Sequence, residues 1–291
     1  GERPPRRVFP VAWMHIPKCG SSFINALLRI PGACRGLPRD LEVTDEHYGY
    51  LSMRGVFHEY PREIYCHAAF LNRRAHAGLG RGRQPWTSYW KGHAVAILRQ
   101  PEQRLMSAFH NLRHSWPIRE LGPPPDDLLL YAHVLQGCVV RTMTRGGAAY
   151  DLGDNLGPHW GGPCGGPGPP THEELALAKE RLHEGFLFVG LQEEWQLSMC
   201  LFHATFGGPC HEAEFLDSRH PVHLPPMRYD VSLLRGFRDA YDGELYAEAA
   251  AIFWDGLRAR GLSAAACQPC FRQAGVVYQG HSLGLQVPSA A

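Results

Sequence analysis

The chain has 291 residues, 44% of them hydrophobic, which is enough to bury the core of one large domain or two small ones. Its 29 lysines and arginines nearly balance its 28 aspartates and glutamates, so the formal net charge is +1. This balance excludes a global polycation and argues against a nucleic-acid partner; any polyanion must meet a local patch. No apolar run approaches the ~20 residues of a membrane-spanning helix.

The first residue is Gly rather than Met, and we expect a trimmed chain that reaches a membrane only through a segment absent from this sequence. Nine cysteines are many for a cytosolic enzyme, and their odd number predicts at least one unpaired thiol. Cys267 and Cys270 form a single CxxC motif without a second pair at zinc-binding spacing. This favours a C-terminal disulfide or two free thiols.

Three short apolar segments, each leading into a helical pattern, predict the fold class. The apolar segments occupy 8–16, 93–99 and 185–191, and the helical patterns begin at Ser21, Glu102 and Gln192. Continuous apolar runs are typical of buried parallel strands. We therefore expect one α/β domain over the whole chain, with a central parallel β-sheet flanked by helices on both faces.

Other elements are predicted in the second half of the chain. Gly and Pro dominate residues 157–170, which indicates a loop or a mobile insert. Thr171 and Glu174 have the spacing of a capping box at the start of a helix. Apolar periodicity predicts a last long helix over 231–260, and we expect an irregular tail at 262–291.

The segment PKCGSS, residues 17–22, follows the first strand and has the features of an anion site. A glycine-containing turn that opens a helix presents backbone N–H groups at the positive end of the helix dipole. Lys18 adds a charge, and Ser21 and Ser22 add hydroxyl donors, which together suit a phosphate or sulfate ester. The segment lacks the glycine and lysine spacing of nucleoside triphosphatases. A capped helix with an exposed lysine is the structural alternative.

A second phosphate site is predicted in the segment LRQPEQRLMSAF, residues 98–109. Arg99 ends the second strand, and Ser107 follows eight residues later on the next helix. Both side chains could converge on a phosphate at the carboxyl edge of the sheet, where α/β proteins bind ligands. Arg104 is expected either to pair with a carboxylate or to be solvated.

At these two segments the sequence resembles the sulfotransferases that use 3′-phosphoadenosine 5′-phosphosulfate (PAPS), in the branch of heparan sulfate 2-O-sulfotransferase and the chondroitin sulfotransferases. HIPKCGSSF resembles the family's 5′-phosphosulfate loop, and LRQPEQRLMSAF resembles its 3′-phosphate motif R-D-P-x-x-R-x-x-S. Three further blocks match in the same order, at 138–146, 186–202 and 239–253. Gln100 replaces the usual Asp and Ser22 stands where Thr is commoner, but neither change removes a donor expected to touch the cofactor.

The resemblance implies a P-loop-like sulfotransferase fold and in-line transfer of a sulfuryl group from PAPS to an acceptor hydroxyl, leaving 3′-phosphoadenosine 5′-phosphate (PAP). Arg99 and Ser107 would hold the 3′-phosphate. Lys18 would also act in catalysis by neutralising charge on the leaving phosphate, and no metal is required. The loop residues that would hold the 5′-phosphosulfate are Lys18, Cys19, Gly20, Ser21, Ser22 and Phe23.

The acceptor hydroxyl needs a general base, and with 17 histidines the count alone selects none. The segment EIYCHAAFL, residues 63–71, resembles the part of the 2-O-sulfotransferases that carries the catalytic histidine, so we expect His67 to be the base. Glu63 is the second candidate because related branches use a carboxylate. His15 is expected to shape the site, and His93 ranks third. A structural histidine at position 67 is the alternative.

Arginines are the candidates for acceptor binding. Arg73 and Arg74 belong to a basic stretch without acids that suits a sulfated or carboxylated acceptor, or else a solvated loop. Arg141 and Arg145 lie in a block that matches the acceptor side of the family. The Gly/Pro-rich insert, with His159 and Trp160, could form a lid over the acceptor, although a disordered insert is favoured.

The resemblance favours a carbohydrate acceptor and a Golgi lumenal domain cut from a membrane-anchored precursor, with a cytoplasmic location as the alternative. The same chemistry on a small natural product or a peptide tyrosine stays open, because the near-neutral charge and the insert weaken the case for a polyanionic substrate. A third hypothesis keeps the fold as a non-catalytic module that binds a nucleotide or a carbohydrate.

Overall fold

The computed structural model describes residues 11–33, 91–117, 121–145, 164, 168–216 and 228–280. Within these ranges three parallel strands form one sheet in the order β1-β2-β3, with β1 at Ala12–Trp13, β2 at Ala94–Leu98 and β3 at Phe186–Leu191. Since all three strands run in the same direction, their carboxyl ends lie at one edge of the sheet. This combination of helices with a small parallel sheet is compatible with the predicted α/β class.

Helices follow each strand and fill the second half of the chain. α1 spans Ile24–Leu28 after a 3₁₀ turn at Ser21–Phe23, and α2 spans Pro101–His110 directly after β2. The other helices of the described ranges are α3 Leu128–Leu135, α4 Cys138–Arg145, α5 His172–Gly185, α6 Trp195–Phe206, α7 Ala240–Ala259 and α8 Gln268–Gln273. Further 3₁₀ turns lie at Glu212–Glu214 and Val231–Leu234.

The predicted capping box at the start of α5 is confirmed. The Thr171 hydroxyl accepts the Glu174 N–H at 3.2 Å, and the Glu174 carboxylate accepts the Thr171 N–H at 2.8 Å. Each side chain satisfies a backbone donor that the first turn of a helix cannot satisfy internally. α5 therefore begins at His172, immediately after the proline-rich end of the insert.

Aromatic side chains tie the first loop to the sheet and to α6. The Phe23 ring stacks on Phe188 of β3 with centroids 5.6 Å apart, and it meets Phe202 of α6 edge-on at 5.2 Å. A second apolar cluster joins α2 to α3, where the rings of Phe109 and Tyr131 lie 5.3 Å apart. These two clusters fix the elements that carry the two predicted phosphate motifs.

The predicted long helix over 231–260 is interrupted. The 3₁₀ turn at Val231–Leu234 ends where Arg235 and Gly236 adopt positive φ angles of 49° and 83°. α7 begins only after Asp239, whose carboxylate caps it by accepting the Asp242 N–H at 3.0 Å. The apolar pattern continues across this break because Leu234 packs into the cluster between α2 and α3 rather than along α7.

Three disulfides link described residues: Cys138–Cys164, Cys200–Cys267 and Cys210–Cys270. Cys267 and Cys270 therefore bond to separate partners, so both predicted alternatives, a disulfide between these two cysteines and two free thiols, are wrong. α8 and these two bonds also order the part of the predicted irregular tail up to residue 280. Cys19 is a buried free thiol. Within the described ranges, none of the helices combines the length and the apolar character needed to cross a membrane.

Candidate functional site

The carboxyl ends of the three strands bring the two predicted phosphate motifs side by side. β1 leads into the loop at 14–20, β2 leads into Arg99, and β3 leads into Gln192. The ends of β2 and β3 are joined by the Gln192 N–H, which donates to the Leu98 carbonyl at 2.8 Å. Ligands of parallel α/β sheets bind at this edge, so the placement agrees with an anion site built from both motifs.

Arg99 contacts the first loop directly. Its Nη1 donates to the Lys18 carbonyl oxygen at 3.3 Å. Its guanidinium carbon also lies 5.6 Å from the centroid of the Tyr229 ring, at cation–π distance. A side chain from the second motif therefore helps to fix the backbone of the first.

The loop at 14–20 is a compact turn, and the helix that follows it is short. Lys18 and Gly20 adopt left-handed φ angles of 66° and 82°, and the Cys19 N–H donates to the Ile16 carbonyl at 3.2 Å. α1 has five residues, so the helix is shorter than its sequence pattern predicts. An anion bound here would be held by the amides of the turn and by side chains more than by a helix dipole.

Gly20 packs against α6 at a position that only glycine fits. A Cβ atom on this residue would lie 2.6 Å from Cζ3 of Trp195. The Trp195 indole is held in place by its Nε1, which donates to the Glu214 carbonyl at 2.8 Å. Both the positive φ of Gly20 and the contact with Trp195 therefore require the absence of a side chain.

Cys19 and Phe23, which were predicted to touch the cofactor, place their side chains in the core. Cys19 is 3% exposed, and burial raises the pKa of its thiol to about 12, so the thiol is neutral at physiological pH. Phe23 is fully buried, and its N–H already donates to the Gly20 carbonyl at 3.1 Å. These two side chains support the turn through packing.

Gln100, which replaces the usual Asp of the motif, is the N-cap of α2, a position that also suits Asp. Its Oε1 accepts the Gln103 N–H at 2.7 Å and so caps α2 directly after Arg99. Ser107 lies on α2 and is 5% exposed. Its hydroxyl has no hydrogen-bond partner in the described part of the chain, which leaves it available as a donor. Phosphate binding by Arg99 and Ser107 stays a prediction.

Arg104 pairs with a carboxylate, the first of its two predicted alternatives. The side chain is fully buried, and its Nη2 lies 3.5 Å from Oδ2 of Asp242. Its Nε and Nη1 have no hydrogen-bond partner among the described residues. Asp242 also accepts the N–H groups of Val139 and Val140 at the start of α4. Arg104 is thus a structural cation that links α2 to α4 and α7.

Asp239 lies beside Asp242 and connects α7 to the second motif. Its carboxylate accepts the Gly137 N–H at 2.9 Å, and its own N–H donates to the Glu102 carboxylate of α2 at 3.0 Å. Burial, reinforced by the neighbouring Asp242 carboxylate, raises the pKa of Asp239 to about 7. Burial also raises the pKa of Asp242 above its usual range. The two acids therefore favour the protonated form more than exposed carboxyls do.

Glu193 is a residue of this region that the sequence motifs did not single out. Its Oε1 accepts the Gln100 N–H at 2.9 Å, and its Oε2 accepts the Tyr246 hydroxyl at 3.0 Å. Burial raises the pKa of the Glu193 carboxyl. It thus fixes the residue after Arg99 to α7. The available signal was a pair of acids immediately after a predicted buried strand, at 193–194.

Arg141 and Arg145 of α4 contact the end of the Gly/Pro-rich insert. Arg141 donates to the Gly168 carbonyl at 2.8 Å, and Arg145 donates to the Pro169 carbonyl at 2.9 Å. Arg145 also pairs with Glu174, at 2.6 Å between Nε and Oε1. Burial lowers the pKa of Arg141 to about 10, which still leaves it protonated at neutral pH. Both arginines have a structural role, and acceptor binding by either stays a prediction.

The predicted bases are only partly within the described ranges. His15 is half-buried beside the loop, with its ring 4.8 Å from that of Trp13. His93 precedes β2 and therefore lies at the edge of the sheet opposite Arg99, which argues against a role as the base. Six residues predicted to act as base, acceptor-binding or lid residues lie outside the described ranges: His67, Glu63, Arg73, Arg74, His159 and Trp160.

In the parts of the chain that the structure describes, no group of three or more His, Cys, Asp or Glu side chains is arranged to hold a metal ion. Comparisons with protein-family models, with curated proteins and with solved structures each find no match. A functional proposal for this protein therefore depends on its motifs and on the geometry of the strand ends.

Proposed function

We propose that the protein is a sulfotransferase that transfers the sulfuryl group of PAPS to an acceptor hydroxyl, on a P-loop-like fold with helices on both faces of the sheet. The observation that carries the proposal is the hydrogen bond of 3.3 Å from Arg99 to the Lys18 carbonyl. It joins the segment that resembles a 3′-phosphate motif to the segment that resembles a 5′-phosphosulfate loop. A single nucleotide with anionic groups on both sides of its ribose suits two such segments in contact.

The residues present fit this donor. Lys18 and Arg99 supply two positive charges, while Ser21, Ser22 and Ser107 supply hydroxyl groups from the same two segments. Phosphate oxygens bind such charged and hydroxyl donors strongly, because at least one partner in each hydrogen bond is ionised. The Ser107 hydroxyl, which has no partner within the described ranges, is suited to a phosphate oxygen.

The proposed chemistry assigns each residue a physical task. PAPS supplies an activated sulfuryl group, and its transfer leaves charge on a phosphate oxygen, much as in phosphoryl transfer. The Lys18 ammonium neutralises that charge, and the serine hydroxyls hold the 5′ end in line with the acceptor. His67 removes the proton of the acceptor hydroxyl, with Glu63 as the second candidate.

We infer a carbohydrate acceptor from the family resemblance, with a small alcohol and a peptide tyrosine as alternatives. We also infer a lumenal compartment such as the Golgi. The three disulfides support this location because such bonds persist in oxidising compartments and are rare in the cytosol.

Nucleotide-induced thermal stabilisation tests the proposal. A ligand at 100 times its Kd stabilises a protein by about 2.7 kcal/mol, so PAP should raise the melting temperature by about 5 °C or more. ATP, which lacks the 3′-phosphate, should raise it little. Lys18→Ala and Arg99→Ala should each remove most of the shift with PAP. No shift of the wild-type protein with PAP would overturn the proposal.

Lys91→Ala is the matched control for Lys18→Ala. Lys91 precedes β2, at the opposite edge of the sheet, and pairs with Glu184 at 2.5 Å on the surface. Its removal should leave the shift with PAP unchanged.

Transfer of radiolabelled sulfate from PAPS to desulfated glycosaminoglycans, small alcohols and tyrosine peptides then identifies the acceptor class. His67→Ala should abolish transfer while the PAP shift persists; a protein that binds PAP but sulfates none of these acceptors is instead a binding module.

A further inference from the structure

Tyr229 is clamped to the helix that carries the second phosphate motif. The side-chain amide of Gln103 donates to the Tyr229 carbonyl at 2.9 Å, and its oxygen accepts the Tyr229 N–H at 3.2 Å. One glutamine side chain therefore satisfies both backbone groups of a residue 126 positions away. The pair fixes the backbone of Tyr229 relative to α2.

The clamp lies on the face of α2 that carries Ser107. Gln103, Ser107 and His110 are separated by four and three residues, and side chains at this spacing share one face of a helix. The His110 ring stacks on the Tyr229 ring, with centroids 5.3 Å apart and planes 6° from parallel. Tyr229 therefore meets this face on both sides of Ser107, through its backbone at Gln103 and through its ring at His110.

The same ring contacts Arg99. The guanidinium carbon lies 5.6 Å from the ring centroid, within the range of a cation–π interaction. Tyr229 thus contacts one of the two predicted 3′-phosphate ligands and borders the helix face that carries the other. Neither of the two phosphate motifs includes this tyrosine.

We propose that Tyr229 is a positioning residue that holds the Arg99 guanidinium for a 3′-phosphate and so sets the preference for nucleotides that carry one; this inference rests on the proposed function. A long arginine side chain loses rotamer freedom when it binds a ligand. Contacts with the Tyr229 ring and the Lys18 carbonyl remove part of that cost before the nucleotide arrives. The remaining N–H donors of the guanidinium fork are directed to the phosphate.

The selectivity between two nucleotides tests this role. PAP and adenosine 5′-monophosphate (AMP) differ only in the 3′-phosphate, so the ratio of their Kd values reports its recognition. Isothermal titration calorimetry on the wild-type protein should show a preference for PAP. Tyr229→Leu should reduce that preference by about tenfold, since the variant loses the ring that holds Arg99. Tyr229→Phe keeps the ring and the backbone clamp and should retain the preference.

A general structural effect of the substitution has a different signature. It would weaken PAP and AMP equally and leave their ratio unchanged, which would overturn the role of Tyr229. In an Arg99→Ala background, Tyr229→Leu should change the ratio no further, because the residue that it positions is gone. A further tenfold change in that background would also overturn a role exerted through Arg99.

His110→Leu provides a second variant in case Tyr229→Leu does not fold. It removes the ring stacked on Tyr229 and should lower the preference for PAP; an unchanged preference would contradict the proposal. A wild-type protein that binds PAP and AMP equally would overturn the 3′-phosphate site of the proposed function itself. A wild-type protein and a Tyr229→Leu variant with the same strong preference for PAP would overturn only the role of Tyr229.

Discussion

The Arg99 side chain and the Lys18 backbone carbonyl are joined by a hydrogen bond of 3.3 Å, so the two predicted phosphate motifs are in direct contact. A guanidinium has a planar fork of five N–H donors, so it can keep this bond and still offer two donors to a phosphate. A lysine ammonium is a point charge on a flexible stem and cannot reproduce that geometry. The identity of residue 99 should therefore matter beyond its charge.

Arg99→Lys should weaken PAP binding by about tenfold, although the charge is retained, because the bidentate geometry is lost. Isothermal titration calorimetry measures this change. Arg260→Lys is the control, since Arg260 is exposed and donates to the Gly256 carbonyl at 3.2 Å at the end of α7. Equal PAP affinities of Arg99→Lys and the wild-type protein would contradict the prediction.

Gly20→Ala should destabilise the protein more than an alanine at a comparable open position. Both the left-handed backbone and the Trp195 ring oppose a Cβ at residue 20. Gly261→Ala is the control because Gly261 also has a positive φ, of 63°, but no atom within 4 Å of the added Cβ. We expect about 1 kcal/mol of destabilisation for Gly261→Ala and about 2–4 kcal/mol for Gly20→Ala.

Urea unfolding of both glycine variants measures the difference. The excess loss at Gly20 reports the contact with Trp195, and it should be accompanied by weaker PAP binding because the loop must shift. Similar free energies of unfolding for the two variants would show that the indole gives way at little cost.

Asp239→Asn should change the pH dependence of stability. The pKa of Asp239 is raised by burial from 3.8 to about 7, so the folded state holds this proton more tightly than the unfolded state. Its contribution to stability is therefore full below about pH 4 and is lost as the pH rises towards 7. An asparagine cannot ionise and keeps an oxygen for the Gly137 N–H. The variant should gain stability relative to the wild-type protein between pH 4 and 7.

Free energies of unfolding at several pH values in this window check the prediction. Asp255→Asn, on the exposed side of α7, is the control for removal of a carboxylate from the same helix. A difference between Asp239→Asn and the wild-type protein that does not vary with pH would exclude titration of Asp239 as the source.

Reduction of the disulfides should destabilise the carboxyl-terminal part of the described chain. Cys200–Cys267 closes a separation of 67 residues and Cys210–Cys270 one of 60, for which loop-closure entropy predicts about 4 kcal/mol each. Peptide mapping without reduction should recover these two linkages. A Cys267–Cys270 linkage in that map would contradict the structure, and a Cys200→Ser/Cys267→Ser variant as stable as the wild-type protein would contradict the energetic prediction.

The elements that the sequence predicts best are those with local causes. β2 and β3 are found within the predicted segments 93–99 and 185–191, because a strand buried on both faces is a continuous apolar run. The capping box of α5 is equally local. The break before α7 was missed because the apolar period continues through it, although Gly236 and Asp239 are a turn residue and a capping residue in the right places.

Features that depend on contacts between distant parts of the chain could not be predicted from the sequence. The Glu193 carboxylate is positioned by its hydrogen bond with the Gln100 N–H, 93 residues away. This contact depends on the register between β2 and β3. The partners of Cys267 and Cys270 depend on how α8 packs against α6. The burial of Cys19 follows from the tight turn that it occupies, and no spacing rule indicates it. The sequence could name Arg99 and the two predicted phosphate motifs, but not Glu193 and Tyr229, which contact the second motif.

The attachment of the Gly/Pro-rich insert to α4 has an evolutionary consequence. Cys138 is bonded to Cys164, and the contacts of Arg141 and Arg145 are with residues 168 and 169. Homologous chains that lack the insert have no selective reason to keep the Cys138–Cys164 pair, whereas Arg145 would keep its ion pair with Glu174 and Arg141 its bond to the Val134 carbonyl. The two cysteines should therefore be gained and lost together with the insert over a phylogeny, while the two arginines can persist without it.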